Sequence, residues 1–241
     1  MNTTIDGQRG DLFLIPTPIT PDGLETLPGD VVKTIHQLRH FIVENARTAR
    51  RFIKSTNPPY RIEELDIQEL RREASFDLVK MMAPVISGHS IGLMSEAGCP
   101  SIADPGAHVV RYAHDQGILI KPLVGPSSIT LALMASGMNG QQFCFHGYLT
   151  AKRDKLPGVL KRLESDSQRQ RRTQIFIEAP YRNRQIYSAC LETLSSSTHL
   201  CVATHLTAGD QFIRTARISE WSASEMPDFH KKPTIFLLYA G

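Results

Sequence analysis

No apolar run in the 241 residues approaches the ~20 needed to cross a bilayer; stretches such as Leu12 to Ile15 and Ile235 to Ala240 are far shorter, so no membrane span is expected. Cysteine is scarce. The four present (Cys99, Cys144, Cys190, Cys201) form no CxxC pair and have no histidine at zinc-finger spacing, and HExxH is absent, so neither a disulfide framework nor a metal centre is expected. The sequence also lacks GxGxxG after its first strand and GxxxxGK[ST], which leaves dinucleotide and P-loop readings without support. The opening MNTTIDGQRGDLFLI has no basic segment leading into a long apolar stretch, so a secretory leader is not expected and the cytoplasm is.

What is present is ordinary globular material, 41% hydrophobic and 21% charged, enough for one large core or two smaller ones. The formal charge of +3 is mild, but its distribution is uneven. ARTARRFIK (46–54) gathers Arg47, Arg50, Arg51 and Lys54, and QRQRR (168–172) gathers Arg169, Arg171 and Arg172. Each cluster is readable as a solvated surface or as a phosphate or RNA contact.

Along the chain, LFLIPTP reads as a buried strand stopped by proline, and Leu27 to Ile42 as an amphipathic helix with Val31, Ile35, Leu38 and Ile42 on one face. Residues 61–82 continue in a mostly helical pattern. IGLM (91–94) is a short strand that runs into SEAGCPSIADPG, where no regular element could persist; a helix follows over 107–116, closed by Gly117. ILIKPLV (118–124), the turn Gly125-Pro126-Ser127-Ser128 and a helix over 129–136 repeat the order, and FCFHGYL (143–149) reads as a connector or edge strand. The second half expects a helix over 155–165, a strand over 175–179, a helix over 181–194 and strands over 200–204 and 234–239. The fold class is therefore α/β, in two α/β domains, 1–142 and 143–241. His36, His40, His108 and His114 fall on expected helices as surface or packing residues.

Ligands of open α/β sheets bind beyond the carboxyl ends of the strands. The loops after Ile15, Met94 and Val124 leave strand ends, are rich in Pro, Gly and Ser, and are expected to converge; singly, each is also an ordinary βα turn.

LFLIPTPI, LMSEAGCPSIADPGAHVVR, PLVGPSSITLALMASGM, FCFHGYLTAKR, IFIEAPYR and ATHLT follow one another in an order and spacing that resembles the tetrapyrrole methylase superfamily, the class III S-adenosylmethionine-dependent methyltransferases. Within it the resemblance is strongest to the ribosomal RNA small subunit methyltransferase I family. It spans about residue 11 to 241, and SEAGCPSIADPG, similar to the family's S-D-A-G-T-P-x-I-x-D-P-G, is its most specific part. The resemblance implies an enzyme of two α/β domains with S-adenosylmethionine held in a cleft between them, a homodimer, and 2′-O-methylation of a 16S rRNA cytidine. A methylase of a tetrapyrrole such as a precorrin, and a cofactor-binding RNA partner without catalysis, are the alternatives.

By matching position, Pro16, Glu96, Ala97, Gly98, Ile102, Ser127 and Ser128 would line the S-adenosylmethionine site. Glu96 stands where the family has Asp. The P-T-P-I-G-N-L loop becomes PTPITPDGLE, E-D-T-R becomes Glu44-Asn45-Ala46-Arg47, H-x-x-N-E is replaced by ELDIQELRREAS, and the G-E before the last strand by Lys232-Pro233. A ribose hydroxyl needs a base within hydrogen-bond reach. Glu44 with Arg47, and Glu178, are the candidates at the acceptor; Glu44–Arg47 and Glu178–Arg182 are equally readable as ion pairs, and Asp104 as the cap of the helix that follows it.

Overall fold

The computed structural model describes residues 9–70 and 77–241. The opening octapeptide and part of the helical pattern expected over 61–82 lie outside the described residues. The chain divides into two units, Met1–Ser127 and Ser128–Gly241.

The first unit runs β1 (Leu12–Ile15), α1 (Gly29–Gln37), β2 (His40–Val43), α2 (Ala46–Ser55), β3 (Asp66–Glu69), α3 (Leu78–Met81), α4 (Ala83–Ile86), β4 (Ile91–Met94), α5 (Ala107–Asp115) and β5 (Ile120–Pro122). Its five strands, all parallel, lie in the order β3-β2-β4-β1-β5. Side-chain alternation splits the core between the two faces. Leu12, Ile42, Ile91 and Leu93 join Val109 and Ala113 of α5, whereas Ile15, Phe41, Val43 and Met94 join Val31, Ile35, Ala49 and Ile53 of α1 and α2. The chain leaves β1 toward β2 on one side and leaves β4 toward β5 on the other, so the direction of winding reverses where β1 and β4 lie side by side.

Two strands replace expected helix here. The helix from residue 27 stops at Gln37 because Leu38 turns extended (φ −88°, ψ 154°), and β2 begins at His40. Phe41, Ile42 and Val43 are all buried, as an inner parallel strand covered on both faces must be, so they show no period of two and mimic a continuing helix. DIQE, the edge strand β3, is too polar to signal itself.

The second unit comprises α6 (Ser128–Ser136), β6 (Phe143–Tyr148), α7 (Leu156–Gln170), β7 (Thr173–Ile177), α8 (Asn183–Thr193), β8 (His199–Thr204), β9 (Phe212–Arg217), α9 (Ile218–Ser222) and β10 (Thr234–Tyr239). Its sheet has the order β6-β7-β10-β8-β9; β6 is an edge strand parallel to β7, and the other pairings are antiparallel. Leu160, Leu163, Tyr187 and the fully buried Trp221 pack with Phe176, Val202 and Phe236 on one face. Ala132 and Leu133 of α6 pack with Ile175, Cys201, Ala203 and Leu237 on the other. That contact groups α6 with the second unit. β9 and α9 carry no expectation: FIRTAR is a polar edge strand with little apolar signal.

Candidate functional site

All strands of the first sheet end on one side, and the loops after β1, β4 and β5 meet there. Thr17 and Gly98 exchange two main-chain hydrogen bonds (Thr17 N to Gly98 O, 3.0 Å; Gly98 N to Thr17 O, 3.1 Å), bridging the loops after β1 and β4 where the winding reverses. The Cys99 thiol lies 3.5 Å from the Pro126 carbonyl, and a Cβ on Gly125 would come within 2.2 Å of the buried Pro16 ring. Only glycine permits that approach of the third loop to the first. Gly98 has φ +77°, and a Cβ on it would sit 3.4 Å from the Pro126 carbonyl.

The loop Ser95 to Gly106 holds a strained backbone. Ser101 (φ 69°) and Ala103 (φ 64°) are left-handed without being glycine, at a cost of about 1 kcal/mol or more each. Asp104 secures them: its carboxylate accepts from Ser101 N (2.8 Å) and Gly106 N (2.7 Å), with Ile102 N as a third donor. Burial outweighs these donors and holds the Asp104 carboxyl above the ordinary aspartate value. Asp104 thus serves the loop and the entry to α5, where Gly106 is the cap residue, and presents no free base. With those donors engaged internally, Glu96, Ala97 and Ile102 stand exposed on the loop surface.

The missed strand β2 places Glu44 and Arg47. Glu44, half-buried, follows Val43 at the same sheet end, and Asn45 caps α2 by accepting from Arg47 N (2.9 Å) and Thr48 N (3.2 Å), worth about 1 kcal/mol. Asn thereby supplies the acceptor that the Asp of E-D-T-R would supply. Thr48 donates to Glu96 Oε1 (3.3 Å), linking α2 to the loop after β4. Sequence reasoning missed Thr48; an Asn ahead of a helical run is the cue that would have placed it in a first turn. Arg47, Arg50, Arg51 and Lys54 are all exposed, on a helix without a carboxylate.

Ser127 is half-buried at the end of the first unit, and Ser128 is the first residue of α6. In the second unit Glu178 follows β7, almost wholly buried, with Oε2 3.2 Å from Arg182 Nη1 but in no well-formed hydrogen bond; Oε1 accepts from Ala179 N (2.9 Å), and Arg182 also donates to the Thr150 carbonyl (3.2 Å). The pair is the ion pair the spacing allows, with one buried carboxylate oxygen of Glu178 left without a hydrogen bond. Lys232, in the replaced G-E position, pairs with Asp210 (3.0 Å) and Asp228 (3.2 Å), and Asp210 also holds His205 (2.5 Å). Arg169 and Arg172 of the second basic cluster meet Asp166, which accepts from Arg172 Nε (2.8 Å) and Nη2 (2.5 Å) and from Gln174 Nε2 (2.6 Å).

No protein-family model matches the chain. It is 30% identical to the ribosomal RNA small subunit methyltransferase I of Vibrio cholerae serotype O1, across 100% of this chain and 80% of that protein. It is 34% identical to the protein of the same name from Bacillus subtilis (strain 168), across 85% and 67%. It is 28% identical to that of Escherichia coli O157:H7, across 94% and 76%. Among solved structures, the methyltransferase CobJ superposes with TM-score 0.63 at 16% identity, covering 95% of this chain and 94% of that one. The cobalt precorrin-4 methyltransferase CbiF gives 0.60 at 12%, with the same coverage. These two likenesses concern the fold.

Proposed function

The chain belongs to the ribosomal RNA small subunit methyltransferase I family, and on that premise we propose that it transfers a methyl group from S-adenosylmethionine to small-subunit ribosomal RNA, at the ribose 2′-hydroxyl of a cytidine. The observation that carries the reading is the three-loop junction of Thr17, Gly98 and Gly125 at the point where the winding of the first sheet reverses. Such a junction is where an open α/β sheet accepts a ligand.

The residues there suit S-adenosylmethionine in kind. Glu96 offers a carboxylate for ribose hydroxyls, Ile102 an apolar side chain that is 50% exposed, and Ala97 an exposed main chain between them. Gly98 keeps open a gap that a side chain would fill against Pro126. Pro16, Ser127 and Ser128 complete the set we assign to the donor. When bound, the donor supplies an electrophilic methyl carbon on a sulfonium.

The protein's own contribution is alignment, which can lower a barrier by ~7 to 11 kcal/mol in favourable cases, and removal of the hydroxyl proton. Glu44 follows β2 at the end of the sheet where the junction loops meet, and Arg47 stands in the first turn of α2 beside it. We assign proton removal to Glu44 and place Arg47 at the acceptor, where its exposed guanidinium can meet phosphate. The four exposed cations of α2 suit the phosphate backbone of an RNA acceptor. Cytoplasmic location and a homodimer belong to the same proposal.

Tritiated methyl from S-adenosylmethionine should appear in small-subunit RNA and, after mapping, on a cytidine ribose. Transfer to no RNA would end the proposal. Donor binding by calorimetry without transfer to 30S subunits would instead favour a non-catalytic RNA partner.

A further inference from the structure

A second place in the molecule is built for an anion. Between α7 and the edge strand β6 lies a pocket of about 530 Å³ lined by His146, Arg162, Ser165, Asp166, Arg169 and Arg172. Three guanidinium groups share it with one carboxylate, an excess of two positive charges (three minus one) with the imidazole neutral. The carboxylate stands behind the cations: Asp166 is 18% exposed, Arg172 36% and Arg169 74%. An approaching group meets guanidinium first.

The frame is fixed from beneath. Gln174, fully buried on β7, donates Nε2 to Asp166 (2.6 Å), so its Oε1 is the atom that meets His146 Nε2 at 2.6 Å. A carboxamide oxygen only accepts, so the His146 proton sits on Nε2. Arg172 is clamped on Asp166 through Nε and Nη2. That leaves its Nη1 hydrogens, most of Arg169 and all of Arg162 without a carboxylate partner among the described ion pairs. Arg172 is a fixed planar donor and Arg169 and Arg162 are uncommitted ones beside it, a set that matches the oxygens of a phosphate. The Asp166 carboxyl, held below the ordinary range chiefly by the hydrogen bond from Arg172, stays ionised and keeps this frame intact at neutral pH.

We propose, on the premise that the acceptor is RNA, that this pocket receives a backbone phosphate of the RNA, so that the second unit carries an RNA contact of its own. Inorganic phosphate is the first probe. Titrated into the full chain, it should move the Nε–H signals of Arg162, Arg169 and Arg172 along one saturable curve, and the variant Arg162→Ala/Arg169→Ala, altered only at exposed side chains, should lose the response. Arginine signals that stay still overturn the pocket.

The second probe is naked small-subunit RNA, bound at several salt concentrations. The double variant should bind more weakly, with a salt slope smaller by on the order of 1 per arginine removed. An unchanged slope with phosphate still held would assign the pocket to a free phosphate and overturn the RNA contact. A native protein that holds phosphate here but binds no RNA at any salt would overturn the proposed acceptor itself.

Discussion

The two arginine-rich stretches, 46–54 and 168–172, look alike as sequence and differ in the folded molecule through one residue. On α2 the four cations share a short helix with no acid, and each is exposed and without a carboxylate partner among the described ion pairs. At the end of α7, Asp166 gathers Arg169 and Arg172 and is itself gripped by Gln174. The first cluster is a field, adaptable and weakened by salt. The second is a shaped receptor whose charges are already placed. Cation density in a sequence therefore says little about function until the nearest carboxylate is located.

The sharpest way to break this contrast is to remove the free cluster. Arg47→Ala/Arg50→Ala/Arg51→Ala should lower the salt slope of RNA binding by on the order of 1 per residue, with donor binding by calorimetry unchanged for Arg50→Ala/Arg51→Ala. A slope that does not move would mean that α2 faces no phosphate. Next in size, Asp166→Ala should cost about 2 kcal/mol in urea unfolding, because it strands charged and buried donors that now share one acceptor. Asp166→Asn keeps an acceptor for Arg172 and Gln174 but removes the negative charge, so phosphate should bind the pocket more tightly; weaker binding would refute the geometry described for the pocket.

A smaller effect concerns acid. Asp166 titrates low in the folded state, so its contribution is present above about 3.9, the unfolded aspartate value, and is lost as pH falls through its lower folded value. Asp104 titrates high, so its contribution is fully present below that same unfolded value and is lost as pH rises through its folded one. Carboxyl-detected NMR should find the two midpoints on opposite sides of about 3.9; midpoints on one side would contradict the contrast between a clamped and a desolvated carboxylate. Smallest of all, Arg50→Ala alone should change stability by no more than about 0.5 kcal/mol, as expected of an exposed side chain.

Much of this is legible in the sequence, and the failures have separate physical causes. The loops at Pro16, Ser95 to Gly106 and Gly125 announce themselves because Gly, Pro and Ser are demanded by local backbone geometry. Strands β2 and β3 were hidden for opposite reasons: Phe41, Ile42 and Val43 are buried on both faces and lose their alternation, and Asp66 to Glu69 form a polar edge that has none. Glu178 with Arg182, four apart, could be foreseen as a pair. The role of Asp166 could not, since Gln174 of β7 reaches it only when α7 packs on that strand, and His146 meets Gln174 only after β6 and β7 have paired.

The double hydrogen bond between Thr17 and Gly98 has a kinetic corollary. Neither amide can meet solvent unless the other does, because one opening event severs both bonds. In deuterated buffer the two should therefore show the same protection factor, and a ligand that protects either should slow both by the same factor. The pair is a built-in gauge of whether the junction is open or shut.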